Sequence, residues 1–119
     1  MKGNNVILDK SKAFAVRIIK LYKYLCDEKK EFTLSKQLLR SGTSIGANVK
    51  EAIRGQSKPD FIAKMSIALK EASETEYWLE LLYETEYLDK IQFDSTYADN
   101  QEIIKLLMSI VKTTKERSS

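Results

Sequence analysis

Apolar positions recur at helical spacing in four stretches of the chain. The clearest is Phe61, Met65, Ala68, Ala72, Thr75, Leu79 and Leu82, which step by four and three as in a coiled-coil seam. They predict a helix about 40 Å long at 1.5 Å per residue, with small residues at its middle that let a neighbour come close. Ser57 is its expected N-cap, followed by Pro59 at the second helical position and by Asp60 at the third, where an acidic group suits the positive end of the helix dipole. An earlier helix is expected from about Ser11 to Lys29 on the spacing of Phe14, Ile18, Leu21 and Leu25, with Asp9 or Ser11 as cap. The charged run Asp27–Glu31 then reads as a solvated connection. The last helix is expected from Ser95 or Asp99 to Thr114, after turn chemistry around Leu88–Ser95. It carries Ile103, Leu107 and Ile110 beside Ile104 and Val111, two stripes that imply two neighbours. The tail KERSS should fray.

The remaining stretch, Leu34–Gly55, has two opposed faces. Leu34, Leu38, Gly42, Ile45, Val49 and Ala52 fall on one stripe of a 3.6-residue wheel, and Lys36, Arg40, Lys50 and Arg54 on the other. Thr33 is the expected N-cap, and Gly55 with Pro59 marks the end. Gly42 and Gly46 each cost about 1 kcal/mol relative to Ala inside a helix, so the backbone is expected to bend or to be approached closely there.

Four amphipathic segments with short connections predict an all-α protein, an antiparallel up-down-up-down four-helix bundle with crossing angles of about 20°. A three-helix bundle with a detached fourth helix is the alternative. Residues 1–119 suit one domain. One Pro and four Gly leave little material for the turns of a sandwich or barrel, and 43% hydrophobic with 31% charged residues describes a globular chain rather than a disordered one. The polar opening MKGNNV, the lack of an apolar run of about 20 residues and the lone Cys26, expected as a small buried or half-buried thiol and not a nucleophile, point to the cytoplasm with no membrane.

Net charge is only +3 but is unevenly spread: residues 1–70 hold 15 Lys and Arg against 6 Asp and Glu, and residues 71–119 hold 5 against 11. Such asymmetry suits either a polyanion at the basic part or contact between subunits in which basic and acidic surfaces meet, and it also arises from solvated faces paired locally.

The chain has no histidine, which removes Ser-His-Asp and Cys-His nucleophiles and the Glu-x-x-His pairs of di-iron bundles. One cysteine excludes a zinc site of the usual kind. Glu71 with Glu74 and Glu76 with Glu80 are spaced to hold a divalent cation, but with Lys64 and Lys70 on the same helix an ion-paired acidic face is the expectation. No phosphate-binding glycine loop occurs. The expectation is a protein that is not an enzyme and has no cofactor.

Ser41, Ser44, Asn48 and Glu51 form a polar row bordering the packing stripe. Such a row can contact RNA or a partner backbone, but because it borders the packing stripe it is expected to fix register and partner choice, with a buried Asn48 held by Glu51 or by a polar group of the next helix. Tyr77, Trp78, Tyr83 and Tyr87 cannot all lie on the Phe61–Leu82 seam; Tyr77 and Trp78 are candidates for a subunit interface.

Arg40, Ser41, Ser44, Ile45, Asn48 and Glu51, followed by Lys58, Phe61 and the Ala68–Leu82 helix, resemble the four-helix-bundle proteins encoded by intervening sequences in bacterial 23S ribosomal RNA genes. More distantly, they are similar to the accessory variability protein of diversity-generating retroelements. Gly46 stands where that family often has Pro, and Ala52 where it often has Gly. The resemblance implies a homopentameric barrel, and its retroelement members bind nucleic acid and a reverse transcriptase.

Lys36, Arg40, Lys50 and Arg54 spread cationic donors over about 27 Å of helix at 1.5 Å per residue, enough to meet several phosphates. The expected function is therefore an oligomeric module that binds structured RNA, such as ribosomal RNA, or a ribonucleoprotein. A homo-oligomeric scaffold that docks a protein partner without touching nucleic acid is the alternative.

Overall fold

The computed structural model describes residues 2–117, with side chains from Val6 onward. Four helices follow one another: α1 (Lys2–Asp27), α2 (Leu34–Ile53), α3 (Lys58–Glu84) and α4 (Lys90–Glu116). Each packs against its chain neighbour, and α4 closes against α1, so the bundle is antiparallel, up-down-up-down, with extents of 49 × 21 × 20 Å. The α2–α3 contact is the most extensive and the α1–α4 contact the least.

The seams are those the spacing predicts. Phe14, Ile18 and Leu25 of α1, Leu38, Ile45 and Val49 of α2, Met65, Ala68, Ala72, Leu79 and Leu82 of α3, and Ile103, Leu107 and Val111 of α4 form one buried core. Removing these side chains from water is the main force holding the helices together. Two glycines let α1 lie close on α2: a Cβ at Gly42 would stand 2.8 Å from both γ carbons of Ile18, and one at Gly46 would stand 3.3 Å from the Ser11 carbonyl oxygen.

Four helix ends differ from expectation. Helix α1 begins at Lys2 and not at Ser11, which is fully buried and donates to the Leu8 carbonyl at 3.2 Å. Ile7 is also fully buried, so it continues the Phe14 stripe N-terminally. Its packing overrides the weak helix propensity of Gly3, Asn4 and Asn5. Helix α4 begins at Lys90, because Asp89 and Gln92 form a reciprocal capping box that the spacing of Ile103 does not report. Of the KERSS tail, Lys115 and Glu116 are helical, and Ser118 and Ser119 lie outside the described residues.

The fourth difference is the cap of α2. Thr33 occupies the N-cap position with helical backbone and makes no side-chain cap bond. Glu31 does that work instead. Its carboxylate accepts from the backbone amides of Thr33, Leu34 and Ser35 at 3.3, 3.0 and 2.7 Å, and its carbonyl accepts from the Ser35 hydroxyl at 2.7 Å. Glu31 is therefore buried and is not part of a solvated connection. Lys30, at φ 55°, turns the chain so that this carboxylate reaches the orphan amides. Ser57 caps α3 as expected, accepting from the Asp60 amide at 3.2 Å.

Candidate nucleic-acid interface

Helix α2 buries Leu38, Gly42, Ile45, Val49 and Ala52 and turns the opposite stripe outward. Lys36, Lys50 and Arg54 are exposed and make no ion pair among the described residues. Arg40 is placed differently. Its guanidinium reaches across to α3 and donates to Glu71 at 3.2 Å and to Glu74 at 3.0 Å, although half of the side chain remains open to solvent. The four cations are thus three free groups and one clamp.

That clamp organises the acidic pair. Burial, then the neighbouring Glu74, pushes the Glu71 carboxyl above the ordinary glutamate range, against the pull of Arg40. Glu74 lies below that range, first through its bond with Glu71 and then through Arg40. The second acidic pair is also engaged, with Gln101 donating to Glu76 at 2.6 Å and the Tyr97 hydroxyl to Glu80 at 3.0 Å. Among the described residues no group of three or more His, Cys, Asp or Glu stands where it can hold a metal ion.

The polar row divides. Ser41 is buried and accepts from the Thr75 hydroxyl at 2.8 Å, which ties α2 to α3 at one register. Ser44 and Asn48 bond back to their own helix, to the carbonyls of Arg40 at 2.6 Å and Ser44 at 2.8 Å. Asn48 is half-buried and is held neither by Glu51 nor by α3; Glu51 instead accepts from Lys64 at 3.4 Å. The buried asparagine of this fold is Asn100, whose amide donates to the Ala72 carbonyl at 2.9 Å across α3 and α4. Sequence reasoning passed over it, although Asn100 precedes Ile103 and Leu107 on the same stripe. Tyr77 is exposed, with its ring centroid 5.2 Å from that of Trp78, which is half-buried and leaves its buried indole N–H without a partner among the described residues. Tyr83 stacks on Phe93 at 4.4 Å, inside the molecule's own α3–α4 contact.

The free cations of α2 border two grooves. One, of about 370 Å³, lies between α1 and α2 and is lined by Lys12, Gly46, Ala47 and Lys50. The other, of about 700 Å³, runs past Ala47, Lys50 and Arg54 to the α2–α3 turn. Lys12 thereby joins the basic face from a second helix. Its place beside Leu8 and Ala15 on the α1 wheel is the signal that could have found it.

Fold and face define a small antiparallel four-helix bundle with one edge of unpaired cations. The chain belongs to the family of 23S rRNA-intervening sequence proteins, whose family model matches residues 3–109. It is also similar to a protein of unknown function from the S23 ribosomal protein family of Bacteroides thetaiotaomicron VPI-5482, solved as a crystal structure. Identity is 62% over 92% of this chain and 98% of that one, with a TM-score of 0.91. No curated protein matches the chain.

Proposed function

We propose that this protein is a non-enzymatic, homo-oligomeric RNA-binding module of the cytoplasm, recognising structured RNA or a ribonucleoprotein by charge and shape. The observation that carries this reading is that Lys50 and Arg54 stand exposed beside an open groove, with no ion pair among the described residues. Cations left without carboxylate partners are available to release counterions from a phosphate backbone. Five copies, the number that the resemblance implies, would repeat the surface and raise avidity through effective concentration. Titrating a structured ribosomal RNA fragment at several salt concentrations tests the reading. Affinity should fall steeply with salt, and Lys50→Gln with Arg54→Gln should weaken it about tenfold. Absence of binding at low salt, or indifference to both substitutions, overturns it.

A second reading, a scaffold that docks protein partners, is favoured by Val16, Ile19, Phe32 and Tyr77, apolar or aromatic side chains standing 46, 38, 56 and 54% exposed. Light scattering after size exclusion separates a self-assembling particle from a monomer. An assembled particle that ignores RNA supports the scaffold.

A further inference from the structure

The antiparallel order brings the end of α2, the start of α3, the end of α4 and the start of α1 to one end of the bundle. A third groove, of about 390 Å³, lies there between α3 and α4, lined by Gly55, Gln56, Ser57, Lys58, Phe61, Thr114 and Arg117. It shares Gly55 and Gln56 with the Arg54 groove, which in turn shares Ala47 and Lys50 with the α1–α2 groove. The three therefore adjoin at shared walls, in sequence from the side of the bundle around its end.

We propose that this continuous track, carrying Lys12, Lys50, Arg54, Lys58 and Arg117, is the path of an RNA sugar-phosphate backbone across the end of the bundle. The proposal rests on the RNA-binding reading above and places its contacts on all four helices instead of along α2.

Three observations support it. All five side chains are exposed, and none makes an ion pair among the described residues. The acids on the track are fewer: Glu51 is already matched by Lys64 at 3.4 Å, leaving Asp9 and Asp60. Lys58 is also the first residue of α3, where a positive charge opposes the helix dipole, so helix stability does not account for it.

The test is fluorescence anisotropy of a labelled RNA hairpin against salt, with the full chain. Lys58→Gln combined with Arg117→Gln should weaken binding about tenfold and lower the salt slope by about one per charge removed. Asp60→Asn should tighten binding. Lys20→Gln combined with Lys23→Gln removes equal charge from the other half of α1 and should leave affinity within about twofold, which excludes a mere net-charge effect. The substitutions are on the surface, and unchanged helical circular dichroism confirms folding. Wild-type protein that fails to bind overturns the RNA reading and the path together. Binding that depends on Lys50 and Arg54 but ignores Lys58 and Arg117 overturns the path alone. A change of oligomer size with RNA affinity intact also overturns it, assigning this end to contact between copies.

Discussion

At Gly42 a hydrogen is all that the packing admits. The Ile18 side chain that fills the space is branched at Cβ and restricted to few rotamers, so it cannot swing aside to accommodate a methyl group. Gly42→Ala should therefore destabilise the fold by about 1–3 kcal/mol from overpacking, although Ala is the better helix former by about 1 kcal/mol. Urea denaturation measures this. Combining the change with Ile18→Ala should cost less than the sum of the two single changes, because the truncation opens the space the methyl needs; strict additivity refutes the steric account. The glycine was conspicuous in the sequence as an expense inside a helix. Its beneficiary, Ile18 on another helix, was not, since nothing local names a residue that distant in the chain.

At the scale of elements, the α2–α3 contact is the largest in the bundle and is joined by polar groups, Ser41 with Thr75 and Arg40 with Glu71 and Glu74. Its carboxylates make stability depend on pH in two opposite senses. Glu74 titrates below its ordinary value of 4.5, so its contribution is present above that value and is lost as pH falls through the lowered one. Glu71 titrates above 4.5, so the folded state holds its proton more tightly than the unfolded chain. Stability is then lost as pH rises from 4.5 through the raised value. Glu71→Gln should abolish the decline on the alkaline side and leave the acid limb in place, as read from urea midpoints over a pH series. An unaltered alkaline limb would assign the decline to other groups. The spacing of Glu71 and Glu74 made the pair legible, but its service to Arg40 required the neighbouring helix.

For the whole molecule, the ring of helices closes at its weakest contact. The α1–α4 contact is the least extensive and is bridged at its surface by Arg17 with Asp99 at 2.7 Å and Lys10 with Glu102 at 3.0 Å. Exposed pairs of this kind each contribute about 1 kcal/mol or less and are screened by salt. Opening should begin there. Amide hydrogen exchange should show α1 and α4 losing protection before α2 and α3, with the gap widening as salt is raised. Uniform exchange in all four helices would argue for a single cooperative unit. The charge imbalance between the two parts of the sequence also changes meaning at this scale. In the folded molecule, residues far apart in the chain, Lys12, Lys58 and Arg117 among them, line connected grooves, while Glu80, Glu84 and Glu86 lie toward the opposite end of α3.

What the chain alone determined is whatever follows from periodicity: four helices, the Phe61–Leu82 seam, the apolar edge of α2 and the outward direction of Lys36, Lys50 and Arg54. Burial of apolar surface is decided largely by which residues recur every three or four positions, and that spacing is local information. Tertiary structure decided the rest. Ile7 had to find a core before α1 could extend to Lys2, and the carboxylate of Glu31 had to fold back on α2 before it could replace Thr33 as cap. Arg40 became a clamp because Glu71 and Glu74 lie opposite it on α3, and a basic track exists because antiparallel packing brings four helix ends together. The Glu31 cap joins near neighbours in the chain and needs the turn at Lys30 to do so; the others depend on partners distant in sequence, and the free energy of such a contact exists only once the chain has brought its two sides together.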